Sequence, residues 1–157
     1  MAAIDDTDDE QVEEEFRSLL EGLRTTLPGV QLVTAFLLTV PMYDKYDSLV
    51  HAERVAYYLA FGSALVASLL LMAPSSHQRL RSHGGSVARH SRRHLDAAVK
   101  ITVLGSALFA VTISAVAFLV ASIVLSTTVA ITVTVVVSGA CLWSWYYLPL
   151  VSFRRDD

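Results

Sequence analysis

From Ile101 to Val151 this 157-residue chain contains no charged residue. That gap of 51 residues excludes an ordinary soluble domain, where about a quarter of positions are charged. It also excludes a disordered chain, which lacks the apolar side chains seen here. Cysteine is nearly absent. Cys141 stands alone within the apolar stretch, so no internal disulfide and no Cys/His zinc pattern can form. It reads as a small apolar filler. No secretory leader is expected either. Such leaders need a basic start and an early apolar core, and here the start carries Asp5, Asp6, Asp8, Asp9 and Glu10.

What is present falls into blocks. The formal net charge of −3 averages opposites. Residues 1–26 hold nine acidic residues and two arginines, whereas residues 74–100 hold six Lys/Arg, one Asp and four of the five histidines. Residues 1–11 are acidic and poor in apolar side chains, which predicts a disordered tail. In residues 12–27, Val12, Phe16, Leu19, Leu20, Leu23 and Leu27 recur at spacings of three and four. That spacing gathers them on one face of an amphipathic helix, expected at the membrane surface. Its polar face is more acidic than basic, so it suits the protein's own basic segment better than anionic lipid.

Pro28-Gly29 interrupts the pattern, with Thr25 or Thr26 available as a cap. The apolar run 28–43 follows. Residues 30–43 rise only about 21 Å, short of a hydrocarbon core of about 30 Å. Leu23 and Leu27 can extend this segment into a full span, with a re-entrant segment as the alternative. Residues 55–73 are uncharged and give about 28 Å of helix, which Pro74 is expected to end. Residues 74–100 form a basic connection with Gly84-Gly85 as its turn. A single helix over 101–151 would be about 76 Å long, so it must fold back. Ser126-Thr127-Thr128 is the most polar point and offers a capping hydroxyl. The last spans are therefore placed at 101–125 and 128–149, within a transmembrane domain of 28–151 that leaves 152–157 as a tail. The β-branched run from Val129 to Val137 still reads as helix, because backbone groups in lipid must pair internally.

The predicted fold is all-α: a polytopic membrane protein of four transmembrane helices preceded by an amphipathic helix. Lys and Arg divide ten against two when the termini and 74–100 share a side. The two on the other side are Lys45 and Arg54. Both termini are thus expected in the cytoplasm and the protein in the plasma membrane. Tyr43, Tyr46, Tyr57 and Tyr58 gather at one predicted interface, and Trp143, Trp145, Tyr146 and Tyr147 at the other.

Ion-coupled transport generally requires ionisable side chains at membrane depth. The predicted spans hold none; His51, Glu53, Arg54, Asp96 and Lys100 all lie at span ends. A transporter or channel would have to use Gln31, Thr34 and Thr39 along a pore, with Glu53 or Asp96 at its mouths. Small residues recur every four positions: Ala60, Ala64 and Ser68; Ser106, Ala110 and Ser114; Ala130, Thr134 and Ser138. Such stripes support close helix packing, within one bundle or between copies. Arg89, Arg92 and Arg93 are candidates for anionic lipid headgroups, each contributing about 1 kcal/mol at an anionic leaflet. His90 and His94 have the i,i+4 spacing of a metal pair, but no carboxylate or cysteine completes a set. No catalytic, cofactor or metal site is expected, and no nucleic-acid partner.

One segment carries a more specific signal. Leu23-Arg24-Thr25-Thr26-Leu27-Pro28-Gly29-Val30-Gln31, continued by Phe36 and Pro41, resembles a family of small, uncharacterised prokaryotic membrane proteins defined as a domain of unknown function. The Ala73-Pro74 step followed by His77 and Arg79 fits as well. The resemblance spans roughly residues 12–148. It implies four spans with cytoplasmic termini; some members carry a sodium:proton antiporter label. The expectation taken forward is a non-enzymatic accessory or interaction subunit, or a small homo-oligomer. Its partners would be membrane lipid, further copies of itself or another membrane protein. The alternative is a small cation or proton-coupled transporter.

Overall fold

The computed structural model describes the backbone over residues 2–82 and 92–147, with side chains over 14–75 and 95–147. Four long helices dominate: α1 (Ala2–Thr39), α2 (His51–Ser82), α3 (Arg92–Val124) and α4 (Thr127–Leu142). Two 3₁₀ turns, Val40–Met42 and Asp44–Ser48, join α1 to α2, and a π-helical turn, Trp143–Tyr147, continues α4. No strand occurs among the described residues. Four segments are long and apolar enough to cross a membrane: Glu14–Met42, His51–Ser75, Leu95–Val124 and Thr127–Tyr147.

Four boundaries differ from the sequence expectation. The amphipathic segment and the first span are one helix, and α1 also takes in residues 2–11, read from sequence as a disordered tail. Acidic residues suit a helix start, where the unpaired N–H groups are partly positive. Pro28 sits inside α1 and does not break it. Proline removes one helical hydrogen bond but its φ is already helical, and its exposed position keeps the ring out of the helix packing. Pro74 likewise lies inside α2, which runs on to Ser82. Its ring is buried, so packing supports the helix there. The basic connection shrinks accordingly, because α3 begins at Arg92 rather than near 101. Gly84-Gly85 lies outside the described residues.

The helices form a row rather than a closed bundle. The α2–α3 interface is the largest, α3–α4 is next, then α1–α2, with a slight α1–α3 contact. Among the described residues α4 and its continuation touch only α3. Leu23, Val30 and Leu37, seven residues apart, are buried and aim α1 at α2. Seven residues are two helical turns, which keeps all three on one face. Along α2, Ala60, Ser63, Ala64 and Ala67 are buried. Small side chains let neighbouring backbones approach. Closest is Gly105 of α3, where an added Cβ would stand 2.9 Å from Leu71 Cγ and Cδ2 and 3.3 Å from Leu70 Cβ.

Two polar contacts tie the row together. Ser63 Oγ lies 2.8 Å from Thr112 Oγ1 across the α2–α3 interface, and these are the buried polar side chains of the described core. Ser138 Oγ donates to Ser114 Oγ across α3–α4 at 2.9 Å. The stripes of small residues are thus used inside the chain, at α2–α3 and α3–α4. The turn between α3 and α4 falls at Ser126, as the sequence predicts, but no hydroxyl caps α4. Ser126 contributes its carbonyl instead, which accepts from the Ala130 N–H at 3.0 Å.

The far end, where α1 turns into α2, is built around proline. Pro41 has no N–H, so it cannot bond the carbonyl four residues back, that of Leu37. The buried Tyr57 hydroxyl donates to that carbonyl at 3.3 Å. Tyr57 also meets Tyr46 edge-on at 5.4 Å and stacks on Phe61 at 6.1 Å. The aromatic cluster expected at this end is thus an assembled set. At the opposite end Trp145 stacks on Phe109 at 6.3 Å, and Trp143 on Tyr147 at 4.4 Å.

Candidate functional site

The residues suggested for a transport path do not converge. Gln31 is exposed on α1. The Thr34 hydroxyl donates to its own helix, at Val30 O, 2.8 Å away, and Thr39 does the same to Phe36 O at 2.7 Å. Glu53 has a structural task. Its Oε2 accepts the Val50 N–H at 3.1 Å, closing the start of α2. This is the back-bonding half of a capping box, with the acid also well placed against the helix dipole. Asp96 is exposed on the first turns of α3, at the other end of the row from Glu53. No group of three or more His, Cys, Asp or Glu that can hold a metal occurs among the described residues. His83, His90 and Arg89 lie outside the described residues, as do the side chains of His77, Arg92, Arg93 and His94. Cys141 is half-buried and free.

The motif around Pro28 divides by helix face. Leu23 and Val30 are buried and Leu27 half-buried, whereas Arg24, Pro28, Gly29, Gln31 and Phe36 are exposed. Its apolar members hold α1 onto α2, and Pro41 shapes the turn at the far end. Arg24 and Gln31 project away from the helix row.

One concave feature was not foreseen from sequence. Near the amino-terminal end, α1 and α3 diverge and leave an open groove of about 390 Å³, within the range of small-ligand sites. Leu23 and Leu71 lie at its base. Ser18, Gly22 and Thr26 form the α1 wall, and Val99, Thr102 and Ser106 the α3 wall. Glu15 and Leu95 are at the mouth, and Glu15 is its sole charged lining residue. Three of its four hydroxyls are committed: Thr26 donates to Gly22 O at 3.0 Å, Thr102 to Ala98 O and Ser106 to Thr102 O, both at 2.9 Å. A Cβ added at Gly22 would meet open space. The signal in the sequence was the four-residue spacing of Ser18, Gly22 and Thr26 and of Thr102 and Ser106.

Among the described residues these features define an all-helical chain with four segments long and apolar enough to cross a membrane. The chain belongs to a family of unknown function, DUF6328, whose model matches residues 5–149. No curated protein and no solved structure matches it.

Proposed function

We propose that this is an integral membrane protein of the plasma membrane, with both termini in the cytoplasm, acting without enzymatic chemistry as an accessory or interaction subunit. The observation that carries this reading is the open row. Among the described residues α4 contacts only α3, and its outer face presents Val135, Val136, Leu142 and Trp143, all more than half exposed. A second copy or another membrane protein fits that face, whereas the stripes of small residues are already used within the chain. The excess of Lys and Arg near the termini and the basic connection supports the orientation.

A flux assay tests the reading against transport. The full chain, reconstituted in vesicles holding a pH or sodium reporter, is expected to give no flux above empty vesicles. Flux removed by Glu53→Gln but not by Glu53→Asp would overturn the proposal, since both variants alter the α2 cap and only one loses the charge.

A further inference from the structure

We infer that the groove between α1 and α3 holds a phospholipid with a primary-amine headgroup, its ammonium at Glu15 and the start of one acyl chain along the base. The inference rests on the four-span reading and adds a ligand site to it.

Position comes first. Glu15 and Leu95 stand at the ends of the first and third apolar segments, which begin at Glu14 and Leu95. Eleven residues separate Glu15 from Thr26, and likewise Leu95 from Ser106. At 1.5 Å per residue the groove is about 16 Å long. That length reaches from a polar headgroup layer several Å deep into the hydrocarbon beneath it.

Chemistry then selects the occupant. The Thr26, Thr102 and Ser106 protons are bound to their own helices, so an apolar chain lying against them leaves no donor unsatisfied. Leu23 and Leu71 supply an apolar base. Among the described lining residues the mouth carries one charge, the carboxylate of Glu15. A carboxylate there opposes phosphatidylglycerol and attracts a cation, and a charge-assisted hydrogen bond further requires N–H on that cation. Phosphatidylethanolamine has those donors; phosphatidylcholine has the charge without them. Gly22 keeps the wall open, since an added Cβ there meets nothing within 4 Å and a longer side chain would extend from it beside the groove.

The test uses the full chain in nanodiscs with equal parts phosphatidylethanolamine, phosphatidylcholine and phosphatidylglycerol, extracted gently and weighed by native mass spectrometry. Phosphatidylethanolamine is expected to be retained about tenfold over phosphatidylcholine, the difference one charge-assisted hydrogen bond makes. Glu15→Gln should erase that preference. Gly22→Leu, which raises helix propensity and whose Cβ meets no neighbour within 4 Å, should abolish retention while helicity and melting temperature hold. Equal retention of the two zwitterionic lipids, preference for phosphatidylglycerol, or undiminished retention in Gly22→Leu would overturn the site while leaving the four-span reading intact. A chain that fails to enter nanodiscs and stays in the aqueous phase would overturn both.

Discussion

Tyr57 and Pro41 illustrate how one residue's deficiency sets another's role. Proline removes an N–H, the Leu37 carbonyl loses its donor four residues on, and a phenol 20 residues along the chain supplies one at 3.3 Å. Replacing Tyr57 by Phe keeps the ring contacts with Tyr46 and Phe61 and deletes only that donor. It should cost about 1–3 kcal/mol, the penalty of an unsatisfied buried acceptor. Thermal unfolding in detergent reads this, and an unchanged midpoint would refute the assignment. The neighbouring phenol of Tyr46, in the turn outside the spans, donates to Tyr58 Oη at 3.3 Å. That bond, followed by partial desolvation, raises its pKa above the ordinary 10.0. Since the folded value is the higher, the bond's contribution is fully present below pH 10 and fades as pH climbs through the raised value. Ultraviolet titration of Tyr58→Phe should return the Tyr46 transition toward 10.

Between elements, glycine separates close approach from open surface. An alanine at Gly105 would bring Cβ to 2.9 Å from Leu71, whose side chain is fully buried, so α2 and α3 must part. Overpacking of this kind costs about 1–3 kcal/mol, partly offset by about 1 kcal/mol of helix propensity. At Gly62 a Cβ meets nothing within 4 Å. Gly62→Ala should therefore leave the protein as stable or more so, while Gly105→Ala lowers its melting temperature. Equal effects at the two sites would contradict the packing.

Much of the element order was legible in the sequence. Hydropathy marks all four segments because twenty uncharged residues have few other uses, and the turn at Ser126 stands at the most polar point of the charge-free block. The prolines misled. Pro28 and Pro74 are breakers by local rule, yet each costs a helix only one hydrogen bond, which neighbours and packing absorb. The covered face was legible in the first half of α1, where Leu19, Leu20, Leu23 and Leu27 are buried or half-buried, but not in α3 and α4, because in a uniformly apolar helix burial leaves no periodic trace. The Ser63–Thr112 contact stayed hidden for a related reason: pairing residues 49 apart depends on helix register. The groove was hidden too, since it exists only where α1 and α3 diverge. Among the proposed transport residues, the sequence placed Glu53 at a helix end but could not reveal that its carboxylate is occupied there.

Taken as a whole, the molecule is a row of four helices with its best packing in the middle and its edges bare. Among the described residues α4 contacts one neighbouring helix, and the aromatic turn that closes it leaves Trp143 and Tyr147 more than half or about half exposed. A protein built to move ions would more commonly enclose a polar path; this one spends its buried hydroxyls on helix clasps and keeps Glu53 as a cap. The proposed accessory role places the protein's work at its outer surfaces. The most direct measurement is the mass of the full chain purified in mild detergent from its native membrane, beside a variant carrying Val136→Trp on the outer face of α4. The proposal predicts a stable complex heavier than the 17.1 kDa chain with its bound lipid, composed of further copies or of another membrane protein, and its loss in the variant while the fold persists. A wild-type chain that runs as a single copy with lipid alone, or a complex indifferent to Val136→Trp, would contradict it.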